Sequence, residues 1–92
     1  MKRWLILVAA CAPAPPVATE ADAVRVHADL AALHQGRELL IARCGGCHDV
    51  PVPAKRHAED WPKQVAEMAP KAGIDDTQRA LIEQYLVAMA PR

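Results

Sequence analysis

Phenylalanine is absent from this 92-residue chain, and Trp4, Trp61 and Tyr85 are its only aromatic side chains. The large rings that usually fill a small core are therefore nearly missing. A chain of this length makes one domain at most, and its core lies near the limit of independent stability. Cysteine is scarce as well, and Cys11, Cys44 and Cys47 cannot all pair with one another. No segment alternates apolar and polar residues, so no sheet is expected, and no internal repeat is present. Runs of like charge are missing too. Without a clustered Lys/Arg stripe interleaved with aromatics, nucleic acid is set aside as a partner. What remains is a small domain short of interior volume, for which a bulky bound apolar group would be an effective staple.

The formal charge of the whole chain is zero, but residues 11–92 carry nine basic against eleven acidic side chains. Lys2 and Arg3 precede a short apolar run over 4–10, the layout of an export signal and too short to span a membrane. Val8-Ala9-Ala10 before Cys11 resembles the bacterial lipoprotein signal, in which the cysteine is lipidated and becomes the mature N-terminus. Ala12, rather than an acidic residue, follows Cys11, which in such families goes with outer-membrane retention. Two other readings stay open: cleavage at Ala21-Asp22-Ala23, or a plain apolar N-terminus. Residues 11–28 then form a lipidated cysteine and a Pro/Ala-rich extended tether, leaving 29–92 as the folded domain.

Within that domain the spacing of Leu30, Leu33, Leu40 and Cys44 predicts a helix over about 29–43. Glycines and prolines predict a loop to about 59. A short helix over 61–69 should follow, N-capped by Asp60 and stopped by Pro70, with Trp61, Val65 and Met68 on one face. Asp75 and Gln78 have the form of a capping box that opens a helix to about 88, with a stripe of Leu81, Ile82, Tyr85, Leu86 and Met89. The fold class is all-α.

The chemistry concentrates in Cys44-Gly45-Gly46-Cys47-His48, because C-x-x-C-H is the haem attachment pattern. Two thiols would add to the haem vinyl groups, and His48 would then lie beneath the iron as an axial ligand. The competing readings are a dithiol redox site, which expects a βαβ context, and half of a zinc site, which expects a second ligand pair. Neither context is apparent in the sequence.

From about Gly36 to Leu86 the chain resembles the small class I c-type cytochromes. The resemblance rests on Gly36, Leu40 and Cys44 at intervals of four and on the Tyr85-Leu86 pair, and it implies three main helices around one covalent haem c. It further implies that the first and last helices cross at Gly36 with Tyr85 across the gap. The stretch Trp61, Val65, Met68, Asp75, Ile82, Tyr85 is similar to compact haem domains and acceptor subunits of periplasmic dehydrogenases. By that similarity Met68 is the sixth iron ligand, with Met89 as its rival and His27, His34 and His57 as weaker ones.

Around these ligands, Pro51 or Pro53 would offer a carbonyl to the second ring nitrogen of His48. Arg56, Trp61 and Lys71 would offer donors to the haem propionates. The expected function is single-electron transfer between a redox donor and an acceptor protein in the periplasm, with no catalysis by the domain itself. The alternatives are a haem-based gas sensor and a tethered haem subunit of a larger dehydrogenase.

Overall fold

The computed structural model describes residues 14–44 and 50–91. Among these there are four α-helices: α1 over Glu20–Arg25, α2 over Leu30–Cys44, α3 over Trp61–Ala72 and α4 over Asp76–Met89. Two short 3-10 turns, Pro53–Lys55 and Ala58–Asp60, lie between α2 and α3. No strand occurs among the described residues, so the domain is all-α.

The core forms where α2, α3 and α4 meet. Leu40, Trp61, Val65, Ile82, Tyr85, Leu86 and Ala90 make one buried cluster. The apolar spacings put them there: Leu40 from α2 is fully buried, as are Ile82, Tyr85 and Leu86 from α4. The closest approach is between α2 and α4. A Cβ built on Gly36 would lie 2.2 Å from the Leu81 carbonyl oxygen and 2.9 Å from the Tyr85 Cβ. Only a residue without a side chain lets these two backbones meet, and Tyr85 lies across that contact.

Helix α4 opens as its sequence suggests. The Asp75 carboxylate accepts from the Gln78 backbone N–H at 2.8 Å, and the Gln78 side chain accepts from the Asp75 N–H at 3.0 Å. Helix α3 starts at Trp61 after Asp60, as expected, but lacks the expected side-chain cap and runs three residues further. Asp60 makes no side-chain cap, because the preceding 3-10 turn runs directly into α3 and holds Asp60 in a helical conformation. A capping residue needs extended backbone to turn its side chain back on the first N–H groups. At the other end the helix passes through Pro70 and stops at Gly73, whose left-handed φ of 69° lets its N–H reach the Ala69 carbonyl. Pro70 removes only the bond to Ala66, and both residues lie on the exposed face, where water can serve that carbonyl.

The larger difference lies before α2. Residues 14–19, expected as a tether, are extended but docked on the α2–α4 pair. Pro15 and Ala18 are buried, and three side chains bind the strap's carbonyls. Arg37 Nε donates to the Pro15 oxygen at 2.9 Å, the Tyr85 hydroxyl donates to the Pro16 oxygen, and a His34 ring nitrogen lies 3.0 Å from the Ala18 oxygen. Thr19 and Asp22 then form a capping box for α1. The Thr19 backbone N–H, followed by Arg25, holds the Asp22 carboxyl below its ordinary pKa. Ala18 and Ala23 complete a second small core with Leu33 and Ala88.

Burial pushes the Tyr85 phenol up to about 12, against a lowering pull from Arg37. The folded state thus holds this proton more tightly than the unfolded chain, where the group titrates near 10. The resulting stability is present below pH 10 and is lost as pH rises through 12. The stability gap between the native chain and Tyr85→Phe, measured by denaturant unfolding, is expected to shrink between pH 9 and 12. The change should be on the order of 1 kcal/mol, since the hydroxyl end is partly screened.

Candidate haem site

Cys44 is the last residue of α2, so a fifteen-residue helix carries the first motif cysteine to the edge of the core. It is half-buried against the cluster of Leu40, Trp61, Val65, Ile82, Tyr85 and Leu86. Gly45, Gly46, Cys47 and His48 lie outside the described residues, as does Cys11. Of the expected axial ligands, the structure therefore places Met68.

Met68 sits two turns into α3, half-buried, and packs against the same cluster as Cys44. Trp61 and Val65 occupy the buried face of α3, and Met68 borders it, three residues on from Val65. Met89 is placed differently: it touches both this cluster and the second core beneath α1, bridging the two as filler. His27 and His57 are exposed, and His34 is committed to the Ala18 carbonyl.

The surroundings of Cys44 and Met68 are apolar. Leu39, Val50 and Ile74 are half-buried against the same cluster, from α2, from the segment after the motif and from the α3–α4 link. These half-buried apolar side chains, with one thiol and one thioether packed against the same cluster, have the chemistry that a hydrophobic group attached through sulfur and ligated by a soft donor would need. Among the described residues no three His, Cys, Asp or Glu side chains gather to hold a metal ion.

The outer residues divide. The indole N–H of Trp61 donates to the Pro53 carbonyl at 3.1 Å in a buried bond, so its hydrogen is directed at the loop. Pro53 is buried and its 3-10 turn is thereby locked to α3, whereas Pro51 is half-buried just after the motif. Arg56 is exposed with its guanidinium 5.9 Å from the Trp61 ring centre, within cation–π range. Lys71 is exposed in the last turn of α3, where a cation favours the negative end of the helix dipole. The backbone N–H of Ala58 donates to Pro91 O at 2.8 Å, tying the loop to the end of α4.

Sequence reasoning missed the groups that hold the strap. Arg37, His34 and the Tyr85 hydroxyl all act on main-chain carbonyls, which carry no sequence signature at the acceptor. The detectable sign was the Thr19…Asp22 pair, three residues apart in the manner of a reciprocal cap.

No family model, curated protein or solved structure matches this chain.

Proposed function

We propose that this protein is a small c-type cytochrome that passes single electrons between periplasmic redox proteins. The supporting observation is that Cys44, opening the C-x-x-C-H motif, and Met68 are both half-buried and pack against one and the same buried apolar cluster. A haem bound there supplies one reversible electron at its iron. The thiols of Cys44 and Cys47 would each add across a vinyl group, the sulfur forming a thioether and the hydrogen passing to the neighbouring carbon. His48 and Met68 would be the axial ligands. With Trp61 bonded to Pro53, the Pro51 carbonyl is the better partner for the second ring nitrogen of His48. Arg56 and Lys71 remain the donors for the propionates.

The all-helical fold supports this reading over a dithiol oxidoreductase, whose motif belongs to a βαβ setting. The crossing of α2 and α4 at Gly36, with Tyr85 over it, agrees with what the resemblance to class I cytochromes implies. With both axial positions filled from the chain, the ferrous protein should be low-spin and leave its spectrum unchanged under carbon monoxide. Rapid carbon monoxide binding by the native protein would replace electron transfer with gas sensing.

Under the lipoprotein reading, Cys11 stands three residues before Ala14, a reach of at most about 11 Å. Because the strap is docked from Pro15 onward, a lipid there would hold the domain close to the outer membrane rather than on a long leash. No described helix is long and apolar enough to cross a membrane. A dehydrogenase or other large redox protein is the expected class of partner.

A further inference from the structure

We infer that residues 14–28 are a permanent part of the mature domain, so that export processing cuts upstream of Ala14 and not at Ala21-Asp22-Ala23. The inference rests on the export reading of residues 1–10 but not on the haem. Cleavage after Ala23 would remove Ala18 and Ala23, two of the four buried residues of the second core, and uncover the side of Leu33 and Ala88 that they cover. It would also remove Thr19 and Asp22, and with them the cap of α1. The most costly loss lies at Tyr85. Its ring is fully buried, and its hydroxyl would lose the Pro16 carbonyl that receives its hydrogen. Arg37 and His34 would lose the carbonyls of Pro15 and Ala18.

The far end of the strap is held as well. Arg25 Nη2 donates to the Ala88 carbonyl at 3.1 Å and to Asp22 Oδ1 at 2.9 Å, so α1 is clasped to the end of α4. Backbone carbonyls make most of these contacts, and the strap's prolines lower the entropy lost on docking. A composition suited to an extended linker thus serves as a preformed strap. Ala21-Asp22-Ala23, which reads as a cleavage site in the bare sequence, lies within α1 with Ala23 buried.

The test uses the exported full-length chain, read by intact mass and by limited trypsin digestion. The mass should correspond to a chain that begins upstream of Ala14; a chain beginning at Val24 would overturn the inference. An unprocessed chain would instead refute the export reading and with it the processing claim. In the digestion, cutting after Arg25 should be slow, because its side chain is held by Asp22 and Ala88. Tyr85→Phe and Arg37→Gln should each accelerate that cut about fivefold, the shift that one lost hydrogen bond gives to a local opening. Arg37→Gln, on a half-buried position, keeps the test valid if the Tyr85 variant folds poorly. Unchanged cutting in the folded variants, or cutting in the native protein as fast as in a peptide spanning 14–28, would show that the strap is not docked.

Discussion

Replacing Gly36 by alanine is expected to destabilise the domain by about 2 kcal/mol, although alanine is the better helix former. The intrinsic gain in α2 is roughly 1 kcal/mol. Against it stands a new Cβ placed 2.2 Å from the Leu81 carbonyl oxygen and 2.9 Å from the Tyr85 Cβ. The first of these neighbours is main chain and cannot rotate away. The helices must separate, and separation loosens Leu33, Leu40, Ile82 and Tyr85 together; overpacking typically costs about 1–3 kcal/mol and more where backbone has to move. Gly36→Val should abolish stable folding. Denaturant unfolding of the two variants provides the check, and an alanine variant as stable as the native chain would mean that α2 and α4 do not cross so closely. Gly73→Ala is a useful contrast: nothing lies within 4 Å of its added Cβ, so only the left-handed φ opposes it, at about 1 kcal/mol.

Met68→Ala is expected to open the sixth position of the iron. Under the proposed ligation, loss of the thioether removes the ligand that favours ferrous iron, so the midpoint potential should fall by on the order of 0.1 V, within the roughly 0.8 V range that axial ligands span. The ferrous form should begin to bind carbon monoxide. Met89→Ala should do neither, and should instead lose about 1–2 kcal/mol of stability because Met89 fills the seam between the two cores. Redox titration with carbon monoxide difference spectra separates the two. If the Met89 variant loses low-spin character while the Met68 variant keeps it, the ligand assignment is reversed; if neither does, His57, exposed in the loop before α3, becomes the leading candidate.

How far the sequence carried these conclusions varied with how local the signal was. The Asp75…Gln78 box, the Leu33…Leu40 spacing and the Ile82…Tyr85…Leu86 stripe each state a local preference that the fold has no reason to override. The start of α3 at Trp61 is local too, but its missing side-chain cap and its far end are decided by neighbouring structure. A 3-10 turn feeding the helix took the cap geometry from Asp60, and an exposed last turn tolerated Pro70 until Gly73 closed it. The strap was half legible. Its prolines indicate an extended chain, and it is extended, but nothing in Ala14-Pro15-Pro16 says that Arg37 and Tyr85 will bind its carbonyls. Trp61 shows the same limit from the donor side: an indole N–H must find an acceptor when buried, and the fold brings it Pro53. The C-x-x-C-H spacing can be read in the sequence alone, although Cys47 and His48 lie outside the described residues, while the place of Met68 beside the cluster that Cys44 borders is visible only in three dimensions.

Covalent attachment of the haem can be read directly on the chain exported from a host able to mature c-type cytochromes. The purified protein is extracted with acidified acetone, and its reduced spectrum is recorded in alkaline pyridine. One haem per chain is expected to stay with the polypeptide, with the absorption band of a haem whose two vinyl groups have both become thioethers. Cys44→Ala and Cys47→Ala should each yield little folded haem protein, since the bound group completes the core of a domain with few rings of its own. A colourless native protein, or a haem that the acid extraction removes intact, would contradict the account.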